Sequence, residues 1–151
     1  MKNEWRTPKE LFDLLDNQFH FTLDPASTHD NALCKKHFTK EEDGLLQDWS
    51  NDVVWLNPPY GREIGAWIEK AYNEMIKGAK VVCLIPSRTS PVWFHVNVKK
   101  AKEIWFIKGR IQFTHPNIEE TNSPDFDSLI VIFDKFRGQQ PVIRFWDWKA
   151  R

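Results

Sequence analysis

Val53-Val54-Trp55-Leu56-Asn57-Pro58-Pro59-Tyr60 is the stretch on which the fold turns. Four consecutive apolar residues suit a strand buried on both faces, the usual condition of strands in a parallel sheet. The proline pair then removes two backbone N–H donors, so the ladder cannot continue and the strand must end there. Downstream, Ile64, Trp67, Ile68, Ala71, Tyr72 and Met75 recur at helical spacing over three turns, with Gly78 as a stop. Val81-Val82-Cys83-Leu84-Ile85 repeats the buried-strand pattern and ends at Pro86-Ser87. Strand, helix, strand predicts a right-handed parallel crossover.

Upstream, Thr7-Pro8-Lys9-Glu10 reads as a helix start, with Thr7 as N-cap, Pro8 at the first helical position and an apolar face of Leu11, Leu14, Leu15 and Phe19. A short strand at Phe21-Thr22-Leu23 closes on Asp24-Pro25, residues 26–36 form a loop or short helix, and His37-Phe38-Thr39 is another short strand. Asp43-Gly44 is a turn. Beyond a short helix near residues 91–98, Ile104 to Ile107 and Ile111 to Phe113 flank Lys108-Gly109-Arg110, a pattern for a bulged strand or tight hairpin. Ser128 to Phe133 and Val142 to Trp148 supply two late strands with little helix between them. Alternation first and bare strands last predict an α/β fold with a mostly parallel sheet and antiparallel strands at one edge.

A length of 151 residues with 41% hydrophobic content suits a single domain over 1–151. No apolar run reaches the length of a membrane span and the first residues carry no apolar signal region, so a cytoplasmic protein with no membrane partner is expected. Cys34 and Cys83 are too few for a disulfide framework, and Cys34 with His37 lacks a second ligand pair, so no metal is expected. A formal net charge of +0 argues against holding nucleic acid by bulk electrostatics, leaving local basic clusters as the means. Eight tryptophans and eleven phenylalanines exceed what a small core needs, which predicts that some line a site for a flat ligand.

Ligands of open parallel sheets collect outside the carboxyl ends of the strands. Asp24-Pro25, Asn57-Pro58-Pro59-Tyr60 and Pro86-Ser87 are three such ends. The Asn57 side-chain oxygen and the Pro58 carbonyl are acceptors suited to both protons of a planar amine, because proline adds no donor and its ring fixes the carbonyl's direction. Acceptors of this kind favour the pyramidal amine whose lone pair can attack a methyl donor, and they stabilise the positive charge that develops on nitrogen. Tyr60 offers a flat face for an extruded base. The same logic serves a nucleobase amine or a glutamine side-chain amide.

Trp5-Arg6-Thr7-Pro8, Leu23-Asp24-Pro25-Ala26-Ser27, Asp43-Gly44-Leu45, Trp55 to Tyr60 and Phe106 to Arg110, in that order along nearly the whole chain, resemble the phage-type DNA N-6-adenine methyltransferase family. The resemblance implies a Rossmann-like fold, S-adenosylmethionine as methyl donor, adenine in DNA as acceptor, and a phage or prophage source. It puts Trp5, Thr7 and Pro8 by the methionine end of the donor and Asp24 with Pro25 at the opening of the donor pocket. Asp43 is then the candidate for the ribose hydroxyls and Asp48 for the adenine end. The turn after the first strand, Asp24 to Thr28, has no glycine where many methyltransferases are glycine-rich, and Ala26 and Ser27 are the small residues there. Arg62, Arg88, Lys108 and Arg110 follow or flank the strand ends and are candidates for DNA phosphates. Lys99, Lys100 and Lys102 serve either DNA or a helix dipole, and residues 115–127 form a candidate target-reading loop. The alternatives are methylation of RNA or of a protein glutamine, and an inactive DNA-binding protein of the same fold.

Overall fold

The computed structural model describes residues 6–115, 118–122 and 126–150. Helix α1 (Lys9–Phe19) leads into β1 (Leu23–Asp24), and β2 (Lys36–His37) follows after a loop. The Val53–Leu56 stretch forms β3, α2 spans Ile64–Lys77 and β4 spans Lys80–Pro86. Then come α3 (Val92–Val96), β5 (Glu103–Ile107), β6 (Phe113–His115), β7 (Ile118–Asn122), β8 (Ser128–Phe133) and β9 (Val142–Trp146).

Seven strands form one sheet in the order β2-β1-β3-β4-β8-β5-β9, and β6 pairs with β7 separately. Every ladder of the large sheet is parallel except the two made by β8, which runs against β4 and β5. The antiparallel element is therefore inside the sheet, and the edge strand β9 is parallel to β5. The reason lies in the connections. After β5 the chain stays at the carboxyl end, makes the β6–β7 hairpin, and re-enters at Ser128 with no crossover helix, so β8 can only run back. From Phe133 a short segment turns at the amino end, and β9 starts beside Glu103. The expected hairpin about Lys108-Gly109-Arg110 does not form, since β5 and β6 belong to different sheets.

Side chains alternate faces along the strands. Val54, Leu56, Val81, Cys83, Ile85, Leu129, Val131 and Phe133 pack under α2 through Ile64, Trp67, Ile68, Ala71 and Met75. Trp55, Val82, Leu84, Trp105, Ile130 and Ile132 face the other way and meet Leu11, Phe12 and Leu15 of α1. Phe12 meets the Trp55 ring edge-on, with centroids 5.6 Å apart. The inward face of α1 thus uses Phe12, while Leu14, expected inside, is 46% exposed. α2 ends as expected at Gly78, whose φ of 129° is open to glycine at little cost.

The aromatic load is mainly core: Trp49 and Trp55 are fully buried, and Trp67 and Trp105 nearly so. Both thiols are free, and burial pushes Cys34 up to about 12. Among the described residues no helix is long and apolar enough to cross a membrane, and no group of His, Cys, Asp or Glu is arranged to hold a metal.

Candidate active site

Because β1 lies beside β3, with Leu23 opposite Val54, the two strands deliver Asp24 and Asn57 to one rim. Between them is a cavity of about 280 Å³ lined by Thr7, Asp24, Trp55 and Asn57, by Arg6, and by the loop residues Ala26, Ser27, Asp30, Asn31, Ala32 and Leu33. Asn57 shares a strand face with Trp55, two residues earlier, and so points toward α1. There its Nδ2 donates to Thr7 Oγ1 at 3.1 Å. Thr7 was expected to cap α1. Instead Pro8 holds the cap position without a side-chain bond, and the Thr7 hydroxyl meets Asn57.

Asp24 is 5% exposed. The Leu33 backbone N–H donates to its Oδ2 at 3.0 Å, which folds the 26–33 loop back over the strand end. Burial raises the Asp24 carboxyl from its ordinary 3.8 to about 6, against the backbone N–H groups of Leu33 and Ala26 and the charge of His37, which pull it down. The loop is tied to β2 by a His29–His37 hydrogen bond of 2.8 Å, and to the segment before α1 by the Arg6–Asp30 ion pair at 3.1 Å.

The other expected donor residues divide. Pro25 is buried, and its carbonyl oxygen sits where a Cβ on Gly44 would collide with it, so the Asp43-Gly44 turn is packed directly on the Asp24-Pro25 end. The half-buried Asp43 accepts from the Leu45 N–H at 3.1 Å, starting a short 3-10 turn, and it does not line the cavity. Asp48 is a correction. From that turn the chain runs to the amino end of β3, where buried Glu74 accepts the Trp49 N–H at 2.6 Å and pairs with Lys77 at 2.9 Å. The exposed Asp48 accepts from Ser50 N–H there, at the far end of the strand from Asn57. Trp5 lies outside the described residues.

Tyr60 lies deeper than expected. The ring expected to face an incoming base is 7% exposed, its hydroxyl donates to the Leu84 carbonyl at 3.1 Å, and Phe126 and Phe113 meet it edge-on. Burial pushes its hydroxyl pKa upward. Pro58 is buried and Pro59 half-buried between the two functional side chains.

Arg62, Arg88, Lys108 and Arg110 are exposed, and they follow the carboxyl ends of β3, β4 and β5, the end that carries Asn57. Lys108 pairs with Asp147 at 3.3 Å and Arg110 with Asp127 at 3.6 Å. Exposed pairs of this kind hold weakly, so a phosphate can replace the carboxylate. The lysine cluster belongs elsewhere: Lys102 bonds the Ile132 carbonyl and pairs with Asp134 at the amino end of β5, and Lys100 lies over the Tyr72 ring. In the expected target-reading loop, residues 118–122 form β7, while 116–117 and 123–125 lie outside the described residues.

With this geometry in hand, comparison with known proteins is decisive. The family model described as DNA N-6-adenine-methyltransferase (Dam) matches residues 1–149. The chain belongs to that family. It is therefore an adenine-specific DNA methyltransferase, which settles the choice among planar amines that Asn-Pro-Pro-Tyr leaves open. The DNA N-6-adenine-methyltransferase of Haemophilus phage HP1 is 30% identical over 137 residues, covering 88% of this chain and 79% of the phage protein. That of Escherichia phage T1 is 32% identical over 110 residues, 72% of this chain but 46% of the phage protein.

The sequence reading missed Arg6, Asp30, Asn31 and Leu33. Arg6 stood between two residues already assigned to the donor, Trp5 and Thr7. The loop residues gave a weaker signal, an Asp-Asn pair in a polar stretch after a strand end, because only the folded loop brings them back over Asp24.

Proposed function

We propose that S-adenosylmethionine occupies the cavity between β1 and β3 and that Asn57, with the Pro58 carbonyl, holds the 6-amino group of the target adenine beside it. The observation that carries this reading is that Asp24 and Asn57 line one cavity at the carboxyl ends of adjacent parallel strands. The donor set fits: buried Asp24 suits the cationic donor, Arg6 suits its carboxylate, and Asn31 and Ser27 supply neutral polar groups. Asp43 is kept as the candidate for the ribose hydroxyls. The sheet is read as a Rossmann-like methyltransferase sheet, with the donor at its carboxyl rim.

When bound, the donor supplies an electrophilic methyl group: the amine lone pair forms the new C–N bond as the C–S bond breaks, its electron pair stays on sulfur, and one amine proton leaves to water. The chain's part is electrostatic and geometric. Asn57 and Pro58 accept the two N–H groups, which turns the lone pair toward the methyl carbon and stabilises the charge appearing on nitrogen. Asp24 holds a cation only when ionised, so its raised pKa links donor affinity to pH near 6. Arg62, Arg88, Lys108 and Arg110 are read as the phosphate contacts that seat the duplex on this rim.

The test is Asn57→Ala with radiolabelled donor and duplex DNA. Removing an acceptor used in the transition state should lower kcat by about 100-fold or more, with donor Kd and unfolding midpoint little changed. Retention of the native rate, or loss of donor binding in step with loss of rate, would overturn the assignment of Asn57 to the amine.

A further inference from the structure

We infer that Thr7, besides lining the cavity, is a positioning residue, which fixes the Asn57 amide with its oxygen toward the target amine. This rests on the proposed role of Asn57. The observation is the 3.1 Å bond from Asn57 Nδ2 to Thr7 Oγ1, made between residues fifty positions apart. A primary amide has two ends of nearly equal size and opposite polarity, so half a turn about its last bond exchanges acceptor for donor. In the wrong orientation Nδ2 would face the N–H groups of adenine, and a gripping contact would become a repulsive one. With Nδ2 donating to Thr7 Oγ1, the amide oxygen is the end left for the amine, an orientation that holds as long as the hydroxyl accepts and directs its own proton away from Asn57.

Thr7 is well placed to be that fixed point. Pro8 holds the next residue at φ −59°, and α1 begins directly after it. α1 is seated by Leu11, Phe12 and Leu15, and Phe12 packs against Trp55, which shares a strand face with Asn57. One packed contact therefore sets the register of the hydroxyl and of the amide it receives.

The experiment compares Thr7→Val, which keeps shape and removes the acceptor, with Thr7→Ser, which restores it, using S-adenosylmethionine and duplex DNA. Thr7→Val is expected to lower kcat by about tenfold or more, with donor Kd within about threefold of native because the shape of the cavity wall is kept. Thr7→Ser is expected to recover most of that kcat. An unchanged kcat in Thr7→Val, a rise in donor Kd that accounts for the whole loss, or a failure of serine to rescue a folded protein would each overturn the inference. If Asn57→Ala abolishes transfer while Thr7→Val leaves kcat untouched, the positioning role alone fails. If Asn57→Ala is active, the reading beneath it fails.

Discussion

Replacing Asp24 with asparagine should stabilise the folded chain near pH 7.5 while weakening its hold on the donor. The carboxyl is buried and titrates near 6 in place of 3.8, chiefly because ionisation there forfeits hydration. At about 1.4 kcal/mol per pH unit, the ionised form costs the folded state about 3 kcal/mol. Asparagine still accepts the Leu33 N–H but turns an NH₂ toward the Ala26 N–H, returning about 1 kcal/mol of that gain. The net is about 2 kcal/mol, or about 4–8 °C in Tm for a chain of this size. The sign follows from proton binding. Between pH 4 and 6 the folded state holds a proton that the unfolded chain has released, so native stability falls as pH rises through that window and levels off above it. The variant lacks this component, so its advantage should vanish near pH 4, where folded native Asp24 is protonated and no longer bears the cost of a buried charge. Urea unfolding from pH 4 to 8 reads both curves. Adding donor at 100 times its Kd should then raise native stability by about 2.7 kcal/mol and the variant's by much less. A variant less stable than native at pH 7.5, or an advantage unchanged at pH 4, would refute the burial argument.

Gly44→Ala places a methyl group against the Pro25 carbonyl oxygen, a backbone atom that cannot rotate away. It should cost about 2–3 kcal/mol in urea unfolding and weaken donor binding through the displaced Asp24-Pro25 end; a cost near zero would show that the turn slides freely. Arg88→Ala with Arg110→Ala should flatten the salt dependence of DNA binding by about two in log–log slope, whereas the pair Lys99→Ala and Lys100→Ala, at the opposite end of the sheet, should leave that slope unchanged. Equal effects from the two pairs would remove the carboxyl rim as the DNA surface.

Much of this architecture was legible because its signals are local. Val53 to Leu56 and Val81 to Ile85 are continuous apolar runs stopped by proline, and α2 carries its period over three turns to Gly78. The direction of β8 was legible only in part: a bare strand late in the chain signals antiparallel pairing, but its insertion between β4 and β5 depends on which neighbours remain open once the sheet has formed. The site divides in the same way. Asp24 and Asn57 announce themselves at strand ends, while the 26–33 loop is folded over the cavity by bonds to distant residues, among them Leu33 to Asp24, His29 to His37 and Arg6 to Asp30, and no residue spacing encodes that. Asp48 misled because it precedes β3 by only four intervening residues, which puts it at the amino end of the strand, away from Asn57.

Tyr60 shows how four adjacent residues serve two purposes. Asn57, the first residue after β3, meets Thr7 before α1 and lines the cavity, and the two prolines keep the ladder from continuing to Tyr60. Its hydroxyl then bonds the Leu84 carbonyl on neighbouring β4, tying the turn after Asn57 to a strand buried along nearly its whole length. A side chain so held is first an anchor for the amine grip. For the ring to receive a base as well, the half-buried Phe126 that meets it edge-on must give way. Phe126 is two residues before β8, and the Asp127 carbonyl between them accepts the Ser87 N–H at the carboxyl end of β4. Base entry on that route disturbs the connection into β8 and the Arg110–Asp127 pair together. The rim proposed to hold phosphates and the cover over the aromatic face are thereby joined through Phe126 and Asp127.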